Sequence, residues 1–157
     1  MKKKNHNFVA IILARGGSKG IKFKNMYKVN GKPLIFWTIK HCLNSKKIDS
    51  VWVSSDSEKI LNYSKKMGSQ TIKRPKTFSN DKASSESAWL HAVSEIEKKN
   101  IFINNIVGLQ PTSPIRKNND LDKAISLFKE KKYDSLFTVQ KTHHTFTWSK
   151  IKNKIVA

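Results

Sequence analysis

Short apolar runs of strand length recur along this chain, separated by stretches whose apolar residues fall at helical spacing. That alternation restricts the fold more than any other feature. A strand followed by a helix that returns before the next strand produces parallel neighbours, and a parallel sheet buries both faces under helices. Phe8 to Ala14 is the first strand. Pro33 suits a first helical turn, with Leu34, Trp37, Ile39 and Leu43 as an apolar stripe behind it. VWVSSD is the second strand, after which Asp56 or Ser57 caps a helix that runs to Met67 and closes at Gly68. SQTIKR is a short third strand that enters a polar loop. Ala88, Leu90, Ala92, Val93 and Ile96 mark a helix from Ser85 to Lys98. NNIVGLQ is the next strand, PTSPIR a stiff loop, and Asn119 or Asp120 caps a helix through Lys132. SLFTVQ is predicted as a further strand. HHTFTWSKIKNKIVA is predicted as a strand, a turn at Lys152 to Lys154 and the start of another strand. The expected class is α/β, a mostly parallel sheet flanked by helices.

The 157 residues suit one compact domain and hardly two, and no repeat, low-complexity tract or linker divides them. No apolar run approaches the roughly 20 residues of a membrane-spanning helix, so no membrane partner is expected. MKKKNHN is basic, but the apolar run behind it is short and leads into a patterned loop, which reads as a strand rather than a signal peptide. Cys42, the single cysteine, lies on a helical pattern. It offers neither a disulfide framework nor a thiolate metal site, and a cytoplasmic setting follows. The formal net charge of +20 rests almost wholly on lysine spread along the chain, with arginine only at 15, 74 and 116. Nucleic acid is therefore expected as a weak, salt-sensitive, nonspecific partner. A basic nucleic-acid or anionic-surface binding domain without catalysis is the alternative class.

The first strand runs into ARGGSKG and, shortly after, KFKN. Gly16, Gly17 and Gly20 remove side chains where the strand hands over to a loop, so backbone amides can approach an anion. Arg15, Lys19 and Lys24 add positive charge, and Ser18 and Asn25 add neutral hydrogen-bonding groups. Such a loop is a reasonable triphosphate cradle at the carboxyl end of a first strand. It matches neither GxxxxGK[ST] nor GxGxxG.

ARGGSKG, followed by KN and GKPLI, closely resembles the acylneuraminate cytidylyltransferases, the CMP-sialic acid synthetases and their relatives. The resemblance continues in order through VSSDSEKI, RPKTFSNDKASSES, LQPTSPIR and the HH pair, and so covers nearly the whole chain. It implies a Rossmann-like nucleotidyltransferase fold of the GT-A-like kind, truncated at the C-terminus. It also implies transfer of CMP from CTP to the anomeric hydroxyl of a nonulosonic acid, with release of pyrophosphate and use of Mg²⁺.

By this resemblance Arg15, Lys19 and Lys24 are the catalytic cations, neutralising phosphate oxygens as pyrophosphate leaves. Ala14, Gly16, Gly17, Ser18, Asn25, Arg74, Ser84 and Ser85 are the nucleotide-binding positions. Gln110 and His144 are the sugar-binding ones. Several have plainer readings: Ser84 or Ser85 as a helix cap, Gln110 as a turn-bracing amide. Asp56 either faces the site or caps a helix, and Arg116 either meets an anion or caps. His143 and His144, as strand neighbours, point to opposite faces, so one can face the site while the other cannot. The family's HH pair is usually followed by proline, where this chain has Thr145.

No metal ligands are read within the chain. The resemblance places the Mg²⁺ carboxylates, further sugar contacts and the homodimer-forming element beyond Ala157, leaving residues 1–157 as one nucleotide-binding domain of low activity by itself. CTP and a nonulosonic acid are the expected partners. LQPTSP, with no acidic residue after the glutamine, argues against 3-deoxy-manno-octulosonic acid, and SKGI disfavours pseudaminic acid mildly. Legionaminic and neuraminic acids are not separated.

Overall fold

The computed structural model describes residues 4–80, 83–139, 149–151 and 154–156. Strand β1 (Lys4–Leu13) is followed by a small antiparallel hairpin, β2 (Lys28–Val29) and β3 (Lys32–Pro33). Its turn is Asn30–Gly31, both in the left-handed region at φ 50° and 75°. That is the conformation a two-residue hairpin with the favoured twist requires. Then come α1 (Leu34–Leu43), β4 (Ser50–Ser55), α2 (Glu58–Lys66), β5 (Gln70–Lys73), α3 (Ser85–Glu97), β6 (Ile101–Leu109) and α4 (Asp120–Lys131). A second small hairpin, β7 (Ser149–Ile151) with β8 (Lys154–Val156), is antiparallel.

The main sheet is parallel throughout, in the order β5-β4-β1-β6. Alternation along β1 explains both layers. Ala10 and Ile12 turn to one face, where Ile35, Ile39 and Cys42 of α1 and Ile60 of α2 complete a core. Val9 and Ile11 turn to the other, against Ala92 and Ile96 of α3 with Trp52 and Ile72. A strand buried on both faces has no polar side to show, which is why it reads as an unbroken apolar run. The chain moves from β1 outward through β4 to β5, then crosses to the far side of β1 for β6. The order reverses between β1 and β6, and in open parallel sheets that reversal leaves a crevice at the carboxyl ends of the strands.

The predicted α/β class and parallel sheet are as observed; several details differ. Residues 135–139 of the predicted SLFTVQ strand form no strand, and Phe137 and Val139 stand exposed. The buried face of α1 is Leu34, Ile35, Thr38, Ile39 and Cys42, so Trp37 and Leu43 lie off the expected stripe. Leu90 is exposed on α3. Pro33 ends β3 as the N-cap of α1 and is not within its first turn. Neither Asn119 nor Ser57 makes a side-chain cap bond, although each is the N-cap residue. Lys154 belongs to β8, not to the predicted turn. Asp81, His143, His144, Thr145 and the turn residues Lys152 and Asn153 lie outside the described residues.

Candidate active site

A cavity of about 440 Å³ opens at the carboxyl ends of β1, β5 and β6, on the reversal point of the sheet. Its volume is within the range of about 300–1,000 Å³ usual for small-molecule sites. The loop after β1 brings Arg15, Ser18, Lys19, Lys24 and Asn25 to the wall. Arg74, the residue after β5, and Gln110, the residue after β6, stand in the same wall. The start of α3 closes it with Ser84, Ser85 and Ala88. Residues some sixty and ninety-five places apart in the chain therefore meet because parallel strands end on one side.

The loop is held from behind. Its Gly16 amide donates to Asp56 Oδ1 at 2.8 Å. A Cβ on Gly16 would come within 2.9 Å of the Ser57 Cβ, so glycine is needed there for close approach to the start of α2. Asp56 thus faces the loop and does not cap α2. The Ala14 amide donates to the Ser54 carbonyl at 3.0 Å, and Ala14 is fully buried. Asn25 is buried too, and its Nδ2 donates to the Arg15 carbonyl at 2.9 Å, bracing the loop across ten residues. Ala14, Gly16 and Gly17 are not wall residues; the first two shape the loop from beneath. His144 lies outside the described residues.

Arg74 is 5% exposed, and its Nε meets no hydrogen-bond acceptor. Burial pushes its guanidinium below the ordinary value; Asp56 acts to raise it and Arg15 to lower it. A guanidinium stays protonated through such shifts, so Arg74 is a desolvated cation at the cavity wall. Arg15, Lys19 and Lys24 reinforce it, and the described wall carries no carboxylate. The field in the cavity therefore favours a polyanion. Ser84 does cap α3, its Oγ accepting the Ser87 amide at 3.1 Å, while also lining the cavity.

Phe78, Asn80 and Thr112 also line the cavity and were not singled out from the sequence. Phe78 packs against His91 with ring centroids 5.0 Å apart. An isolated aromatic in a polar loop and a threonine between prolines have no periodicity to mark them.

The pattern that defines the family described as cytidylyltransferase matches residues 9–155. The chain belongs to the cytidylyltransferase family. N-acylneuraminate cytidylyltransferase A of Danio rerio is 36% identical over 151 residues, covering 96% of this chain and 34% of that protein. The pseudaminic acid cytidylyltransferase of Campylobacter jejuni strain 81-176 is 36% identical over 130 residues, covering 82% of this chain and 56% of its own. The chain thus spans about a third to just over half of the length of those curated relatives. Among solved structures, CMP:2-keto-3-deoxy-manno-octonic acid synthetase in complex with CTP shares the fold. Its TM-score is 0.68 at 21% identity, over 80% of this chain and 48% of that one.

The family implies Mg²⁺. Among the described residues no cluster of three or more His, Cys, Asp or Glu gathers to hold a metal ion. Asp56, outside the wall, is engaged by Gly16. None of the described wall residues is a carboxylate that could ligate Mg²⁺ directly.

Proposed function

We propose that this chain forms the nucleotide-binding domain of an enzyme that activates a nonulosonic acid with CTP. The observation that carries the reading is the single cavity in which Arg15, Lys19, Lys24, Arg74, Ser84, Ser85 and Gln110 converge. The cations of the opening loop hold the triphosphate, while Arg74 and the start of α3 hold the nucleoside. Gln110 meets the sugar acid. The anomeric hydroxyl gives its proton to solvent water and bonds to the α-phosphorus; the bond from that phosphorus to the bridging oxygen breaks, and pyrophosphate departs. Phosphoryl-type transfer asks the protein mainly for positioning and for charge where charge develops. A cation set fixed on a braced loop supplies both.

N-acylneuraminic and pseudaminic acids are the leading sugar candidates, since relatives named for each are equally similar at 36% identity, which outweighs the mild argument from SKGI against pseudaminic acid. A homodimer and a cytoplasmic setting complete the proposal.

The decisive test is thermal protection. Binding to the folded state raises the melting temperature by linkage. CTP is expected to protect this chain more than ATP, and Arg15→Ala to remove the protection. Equal protection by every triphosphate would reduce the cavity to a nonspecific polyanion site and defeat the assignment. Pyrophosphate release with each candidate sugar, compared as kcat/KM, then ranks the substrates.

A further inference from the structure

A second cavity, of about 410 Å³, lies between α1 and the loop that joins β6 to α4, and it shares no wall residue with the first. We propose that it is a binding site for a small organic carboxylate with a flat apolar body. The inference does not depend on the cytidylyltransferase reaction.

Arg116 is its centre. The Nη1 of this half-buried side chain is buried and meets no hydrogen-bond acceptor among the described residues. A guanidinium at a cavity wall is matched best by a planar carboxylate with two oxygens. Asp120, the carboxylate whose charge acts on Arg116, is engaged elsewhere. Asp120 accepts the Lys117 amide on Oδ2 at 2.7 Å, at the start of α4. Its charge and the Cys42 thiol act to raise the Arg116 pKa, yet burial prevails and holds that guanidinium below its ordinary value. Lys40 and His41 of α1 stand in the same wall. Burial, followed by Arg116, keeps the His41 imidazole below its usual pKa, although Asp120 acts the other way. A neutral imidazole there can share a hydrogen bond with a bound acid without adding charge.

The apolar part of the cavity explains why a bare inorganic ion fits less well. Trp37, Pro114 and Ile115 line it. The Trp37 indole N–H donates to the Val29 carbonyl at 3.1 Å, so the ring is fixed and its polar atom already satisfied. Ile115 is 95% exposed, an unusual position for a large aliphatic side chain, and none of the described residues covers it. A cation floor under a pinned indole and an uncovered isoleucine suits an aromatic or branched acid.

The test uses the 157-residue chain, labelled with ¹⁵N and titrated with benzoate at near-physiological salt, with benzamide and inorganic phosphate as probes. The expected result is saturable movement of the Trp37 indole and Arg116 Nε–H signals with benzoate and little with the other two. Arg116→Gln should weaken benzoate binding about tenfold or more, the scale of one charge-assisted hydrogen bond, while Arg15→Ala leaves it unchanged. Lys40→Glu, on an exposed side chain, should weaken it several-fold with the melting temperature intact, which guards against a misfolded Arg116 variant. Equal responses to benzoate and benzamide would overturn the proposal. So would a matching response to phosphate, which reports only the +20 charge of the chain, or full binding in both variants.

Discussion

Strands β1 and β6 pair along most of their length and each delivers residues to the cavity, yet their surroundings differ. Val9 through Ile12 of β1 expose nothing. Along β6 every second residue from Phe102 to Gly108 is exposed, with Phe102 at 53% and Ile106 at 45%. One strand is the middle of the sheet with helices on both faces. The other is an edge of the described sheet with partial cover. The cation loop therefore hangs from the most deeply packed strand, and Gln110 hangs from a less buried one. Under the proposed function, the charge that would meet a triphosphate sits on the more deeply buried side.

The sharpest way to break this contrast is to remove a side chain from each strand. Ile11→Ala should cost about 2–5 kcal/mol by urea denaturation, as for a fully buried aliphatic residue. Ile106→Ala should cost less than about 1 kcal/mol, since much of that side chain already meets water. Similar losses at the two positions would mean that β6 is as tightly packed as β1.

A smaller effect is expected where α3 touches β6. A Cβ on Gly108 would lie 2.7 Å from the ring of Trp89, so this glycine lets α3 settle against the strand. Gly108→Ala should cost about 1–3 kcal/mol through overpacking. It should also reduce protection by CTP, because Ser84, Ser85 and Ala88 at the start of α3 would move away from Gln110. Unchanged stability and unchanged protection together would show that the contact positions nothing.

On the β1 side, Asp56→Asn sharpens the comparison further. The amide oxygen can still accept from Gly16, but the charge beside Arg74 is lost. The expected stability loss is about 1 kcal/mol, with a larger fall in CTP protection than in unliganded melting temperature. A fall in melting temperature alone would make Asp56 a purely structural support.

The smallest effect concerns Cys42, packed in the core that β1 shares with α1. Burial pushes its thiol up to about 12. The unfolded chain gives up that proton near the ordinary thiol value of about 8.5. The native state therefore binds more protons above it, and stability should fall as pH rises from there towards 12. At pH 8 iodoacetamide should label Cys42 only as fast as the core opens; rapid labelling of native protein would contradict its burial.

Alternating periods of two and 3.6 are local consequences of side-chain direction. For that reason the strand–helix order, the first strand and the helix opening at Ser84 could be read from the chain alone. Asn30–Gly31 carries a hairpin signal as well. The gathering of Arg15, Lys19 and Lys24 on one loop was equally readable, because glycines and cations sit together in sequence. SLFTV misled because apolar content signals a strand only when a neighbour supplies its hydrogen bonds, and none does among the described residues. Asp56 could not be assigned from its position at a strand end, since cap and loop support look identical until a partner is known. The meeting of Arg15, Arg74 and Gln110 depends on strand order, a pairing between distant segments that no local pattern encodes. Parallel pairing with a reversal beside β1 brought those three side chains to one opening, and that was decided by the tertiary structure.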